Sequence, residues 1–182
     1  MLLVRNDRIV EDRFVRVRDD EPPPEGVPAI VPAARLLADA AALRARGIPV
    51  GVLWPNDRKV AELAPHLCWL ALVGLVFPKF RDGRAYSQAR LIRERHGFRG
   101  ELRATGNVLR DQFLFMLRAG FDAFEVQKEA DAHAFSDTVR RYSVFFQPST
   151  DGRPTVFRRR LSGQHPADAP ESRGSLAVAA LP

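Results

Sequence analysis

Residues 77–112, FPKFRDGRAYSQARLIRERHGFRGELRATGNVLRDQ, hold one complete passage from strand to helix to strand. An apolar strand from Val73 ends at Phe77, a helix runs from about Ala85 to His96, and Gly97 supplies its left-handed stop. A second strand spans Glu101 to Ala104, and Asn107 is placed to cap the next helix. In open parallel α/β folds, ligands bind where strands end and helices begin. Cations and donors crowd both junctions here: Lys79, Arg81, Arg84 and Ser87 after the first strand, Arg103 and Asn107 around the second. Guanidinium groups and free helix N–H groups attract oxyanions, so these residues are expected to form an anion-binding site.

The same unit extends in both directions. Upstream, AARLLADAAALRARG gives a helix over Val31 to Arg46, IPVGVLW a strand, and Asn56 or Asp57 the cap of a helix reaching Leu67. Downstream, VLRDQFLFMLRA is a helix stopped by Gly120, DAFEV a strand, DAHAFSDTVRRYS a last helix, and VFFQ an edge strand. Core strands begin about 22 to 30 residues apart, the spacing of right-handed βαβ crossovers. The expectation is an α/β fold with a mostly parallel sheet of about four to five strands built from βα units, as an open sandwich or a partial barrel. The opening LLVRNDRIVEDRFVRV reads as an N-terminal β-hairpin turning at Asn6 and Asp7, and DDEPPPEG as a linker. Residues 1–149 form a single α/β domain on this reading, and 150–182 a flexible tail with little apolar area, in which Val156 and Phe157 are the side chains able to dock.

The 182 residues, 46% hydrophobic and 27% charged, suit one domain with a sizeable core. A net charge of +6 raises the question of nucleic acid. The cations are almost all Arg, interleaved with Asp and Glu, and the aromatic-and-basic interleaving of a stacking platform is lacking, which argues against it. The single cysteine, Cys68, rules out an intrachain disulfide and a four-cysteine metal site. The four histidines show no ligand spacing, so no metal and no cofactor are expected. The charged N-terminus does not resemble a secretory signal, and no run approaches the roughly 20 apolar residues of a membrane span. A cytoplasmic protein with no membrane partner is the default. Dinucleotide, nucleoside triphosphate and hydrolase motifs are all missing.

Three carboxylates are candidates for catalytic proton transfer: Glu125 at the end of the DAFEV strand, Asp57 after the IPVGVLW strand, and Asp111 in the first turn of the following helix. Each has a plain alternative as a solvated or salt-bridged group. Whether the protein is an enzyme is left open by these residues.

The stretch KFRDGRAYSQARLIRERHGFRGELRATGNVLRDQFLFMLRAGFDAFE resembles the signature of the bacterial domain of unknown function 934, more loosely upstream to the N-terminal hairpin. Members of that family are often described as oxidoreductases of sulfite reduction. The resemblance therefore implies an accessory role in sulfur metabolism, with sulfite reductase or its electron donor as a partner and an oxyanion as a small ligand. Asn107 stands where the family pattern has Asp, His96 where it commonly has Tyr, and Ala119 where it commonly has Cys. A six-electron reduction needs metal centres that a lone cysteine cannot hold, so binding the reductase, its donor or an oxyanion fits the residues better than performing the reduction. A small independent enzyme acting on a phosphorylated or sulfonated metabolite, with Glu125 or Asp57 moving the proton, is the alternative.

Overall fold

Short runs of Val, Leu and Ile become strands in the computed structural model, which describes residues 1–6, 8–79, 81–140, 145–153 and 155–162. The strands are β1 Leu2–Arg5, β2 Arg8–Val10, β3 Val15–Arg16, β4 Ala29–Pro32, β5 Val50–Trp54, β6 Leu72–Phe77, β7 Glu101–Gly106 and β8 Ala123–Val126. They form one sheet of eight strands in the order β2-β1-β8-β7-β6-β5-β4-β3. From β3 to β8 every neighbouring pair is parallel. β1 runs antiparallel to both β8 and β2.

Seven α-helices are described among these residues: α1 Ala33–Ala45, α2 Val60–Leu63, α3 Arg84–Arg90, α4 Phe113–Ala119, α5 Glu129–His133, α6 Phe135–Arg140 and α7 Val156–Leu161. Strand alternation sends Val4, Val31, Val52, Leu75, Leu102 and Phe124 to one face, where they join Leu36, Leu63, Ala89, Phe113 and Phe135 of the helices in a common core. Leu3, Ile30, Leu72 and Ala123 are buried too, outside that core and on the other face.

The second face is concave. β3 and β8 stand five steps apart, which at about 4.8 Å per step would separate them by about 24 Å in a flat sheet. Arg16 on β3 nevertheless hydrogen-bonds Glu125 on β8. The sheet is therefore curled into a half-barrel.

The α/β class, the N-terminal hairpin and the parallel βα units match the sequence reading, but eight strands replace the expected four to five. The sequence reading starts a helix at Val31, whereas Ala29–Pro32 forms β4. Pro32 closes the strand, and α1 starts one residue later. β3 was assigned to the hairpin, yet it pairs with β4. The expected edge strand VFFQ is reduced, among its described residues, to a bridge between Phe145 and Thr155.

Thr150 and Asp151, read as the start of a tail, are attached to α4 through Arg118. Its guanidinium donates to Gln147 O at 2.6 Å and Asp151 at 3.3 Å, and lies 4.0 Å over the Phe145 ring. Its carbonyl accepts Thr150 N–H at 3.2 Å and Thr150 Oγ1 at 2.5 Å. The tail residues 163–182 lie outside the described residues.

The β6 and β7 ends are locked together by Gly106. Its φ is +91°, a Cβ there would lie 2.5 Å from Phe77 O, and the Asn107 N–H donates to that same oxygen at 2.8 Å. Both the backbone conformation and the close approach require glycine. Gly106→Ala is expected to cost about 2 to 3 kcal/mol in a denaturant titration; a loss under about 0.5 kcal/mol would show that the loop shifts freely.

Candidate functional site

The concave face is built from charge. β7 alternates Glu101, Arg103 and Thr105 onto it, β8 adds Glu125, β3 adds Arg16, and the connection between β2 and β3 lays Asp12 across it. Arg103 is fully buried, a position that a guanidinium tolerates only with its donors satisfied. Its Nη1 and Nη2 donate to Asp12 at 2.5 and 3.0 Å, its Nε to Glu101 at 2.7 Å, and Nη1 also to Glu125 at 3.2 Å.

Glu125 accepts three partners. Arg103 meets Oε1, while Thr105 Oγ1, at 2.6 Å, and Arg16 meet Oε2. Arg16 also donates to Thr105 Oγ1 at 3.0 Å, and Arg5 pairs with Glu101. Three guanidinium groups thus face three carboxylates. Burial pushes Asp12 upward, but the Arg103 hydrogen bonds, the Phe14 N–H and the charges of Arg103 and Arg16 outweigh it and hold the carboxyl below its ordinary range. Burial likewise lowers Arg5, with the charge of Arg103 adding to it.

The residues expected to bind an anion divide into two sets. Lys79, Arg81, Arg84 and Ser87 are exposed on or just after the β6–α3 loop, at the carboxyl edge of the sheet. Arg103 is not with them: it lies inside β7, paired with Gly74 in the middle of β6, and its donors are taken by carboxylates. Arg84 turns back to Asp82, with Nε at 2.9 Å and Nη2 at 2.6 Å from its oxygens. Those bonds hold Asp82 far below the usual carboxylate range, against a smaller opposing effect of burial and with help from Asn56.

Asn107 is exposed and makes no cap, because the chain first forms a 3-10 turn, Arg110–Gln112, whose N-cap is Leu109. Of the three proposed proton-transfer groups, Glu125 belongs to the concave network, while Asp57 and Asp111 are exposed at the carboxyl edge. Asp111 still acts on a neighbour: burial first, then its charge, raises the Tyr86 hydroxyl to about 12. Gln88 braces this edge, donating to Pro55 O at 3.1 Å and Arg58 O at 2.9 Å.

Asp12, Arg16, Glu101 and Thr105 were missed by sequence reasoning. For Glu101 and Thr105 a signal was present in ELRAT, where polar side chains recur at alternate positions of a strand that a parallel sheet ordinarily fills with apolar ones; Asp12 and Arg16 carry no such local signal. A second missed feature is α7, where Phe157 is 71% exposed and Leu161 77% exposed beside Arg158, Arg159 and Arg160. Among the described residues no group of three or more His, Cys, Asp or Glu is placed to hold a metal ion, and no helix is long and apolar enough to cross a membrane.

Residues 51–157 match the family described as "Bacterial protein of unknown function (DUF934)". No curated protein matches the chain. The matched span contains β5, but for its first residue, through β8 and the carboxyl-edge loops; Asp12 and Arg16 lie before it.

Two measurements check the network. Arg103→Met takes from Asp12 its ion-pair partner and leaves Glu101 to Arg5 and Glu125 to Arg16 alone; it is expected to destabilise the fold by about 3 to 5 kcal/mol in a denaturant titration. A carboxyl held below its unfolded value near 3.9 contributes stability that is complete above that pH and lost as pH falls through the folded value. Asp12→Asn should therefore lower stability at neutral pH and flatten its decline below about pH 4; a decline identical to that of the parent would show that Asp12 is not held by Arg103.

Proposed function

From a chain that belongs to the bacterial DUF934 family, we propose an accessory protein of assimilatory sulfite reduction that binds an acidic surface of sulfite reductase or of its electron donor. The pathway rests on the family resemblance. The binding mode rests on where charge is left over. Arg5, Arg16 and Arg103 are matched on the concave face by Asp12, Glu101 and Glu125, so the net charge of +6 is carried by other residues.

The observation that carries the reading is α7. Phe157 and Leu161, four residues apart, share a helix face, both are largely exposed, and three arginines adjoin them. Large exposed apolar side chains flanked by cations suit a protein surface that is apolar at its centre and acidic at its rim. Lys79, Arg81 and Arg84 are a second set of exposed cations for such a partner, or for a small oxyanion.

The test is affinity purification of the tagged full chain from its host during growth on sulfate. Sulfite reductase or its donor should be retained at low salt and released by about 0.5 M salt, where screening is nearly complete over a few ångströms. Arg158→Glu with Arg160→Glu should abolish that retention while the melting temperature stays within a few degrees, because these side chains are exposed. Arg81→Ala with Arg84→Ala should weaken it less. Retention unchanged by charge reversal, or no sulfur enzyme retained from sulfate-grown cells, would sink the proposal.

A further inference from the structure

The edge of the half-barrel at β3 opens into a cleft of about 620 Å³ lined by Arg16, Arg18, Asp20, Glu21 and Pro22. We propose that this cleft binds a small zwitterion, an amino acid or an aminosulfonate, with its oxyanion on Arg16 and Arg18 and its ammonium on Asp20 and Glu21. The inference is independent of protein docking through α7.

The strand places the cations. Val15 and Val17 alternate with Arg16 and Arg18; Val17 enters the core under the helices, and both arginines line the cleft. Arg16 is held in place from behind, because Thr105 and Glu125 accept from its Nη2. A guanidinium fixed in this way loses little freedom when a ligand arrives.

The segment that follows places the carboxylates. Glu21 N–H donates to Arg18 O at 3.3 Å, Arg35 donates to Asp19 O at 2.8 Å, and Arg46 donates to Pro24 O at 2.6 Å. Pro22, Pro23 and Pro24 stiffen what remains. The outcome is unusual for a surface so rich in charge: among the described residues Arg18, Asp20 and Glu21 make no ion pair, although they line one cleft.

Opposite charges that share a cleft without meeting select for a ligand that carries both. A plain oxyanion would meet the carboxylates, and a plain amine would meet the arginines; like-charge contacts of either kind are unfavourable. The volume falls within the usual range for small-molecule sites, and the open shape points to an affinity near the millimolar end of the scale.

The experiment is an NMR chemical-shift titration of the full chain with taurine, L-serine, inorganic sulfate and methylamine. Taurine or L-serine should saturate with shifts centred on residues 16–22, at least about tenfold tighter than sulfate or methylamine, which is the ratio expected when a second charge-assisted contact is added. Arg18→Ala should weaken the zwitterions and sulfate alike. Asp20→Asn with Glu21→Gln should weaken the zwitterions about tenfold yet tighten sulfate, the opposite sign for the two probes. All these side chains are exposed, and an unchanged melting curve confirms that the variants are folded. Sulfate binding as tightly as taurine in the parent chain would make this a plain anion site, and shifts that do not saturate, or an acidic-pair variant that treats both probes alike, would overturn the proposal.

Discussion

A guanidinium with no access to water has to be surrounded, and Arg103 is surrounded from three directions: along its own strand by Glu101, from β8 by Glu125, and from the N-terminal connection by Asp12. The first two partners come from Arg103's own strand and the adjacent one, and the third from a connection that crosses the concave face. The Arg16 contact to Glu125 then joins the edge strand β3 to β8 across the curled sheet. Gly51 and Gly74 face the same side, where added Cβ atoms would lie 3.0 Å and 2.9 Å from Leu72 and Leu53 side chains, so the strands between have little volume to spare. Ion pairs in such surroundings specify one arrangement more than they add stability, because desolvation offsets much of the attraction.

The helical face obeys simpler rules, which is why it was legible. LVGLVF, ELRA and DAFEV were read as strands, and Gly97 and Gly120 as helix stops with positive φ, because hydrophobic runs and left-handed glycines are local signals. The carboxyl-edge loops were placed correctly for the same reason. The concave network was not legible: Asp12 and Arg103 are 91 residues apart, and no local pattern announces their contact. Chain proximity to a strand end groups Arg103 with the loop cations, whereas its place inside β7 sends it to the concave face. Asn107 was read as a cap from residue type alone, whereas Gly106 turns the chain before any helix begins.

A second clamp serves the other end of the sheet. Arg93, in the π-helical turn Leu91–Arg95 that continues α3, donates to the carbonyls of Gly120, Phe98 and Gly100 and pairs with Asp122. Burial raises Asp122 despite that pairing. The sign is opposite to that of Asp12: a raised carboxyl is a burden at neutral pH that eases as pH falls through its folded value. The two carboxylates therefore pull acid stability in opposite directions.

Closure across the sheet also sets the order in which the chain acquires its shape. Leu2 pairs with Val126, and Arg16 reaches Glu125 over a separation of 109 residues, so β1 gains its second neighbour and β3 its contact across the sheet only once β8 has been synthesised. At about 5 to 20 residues per second, synthesis leaves that N-terminal segment waiting for several seconds while the central βα units assemble. During that interval the β1 edge that β8 later covers is open, and charges in and beside the hairpin, Arg5 and Asp12 among them, disfavour its pairing with other chains. Arg5 and Asp12, which serve the concave face of the finished fold, thus also charge its first hairpin while β8 does not yet exist.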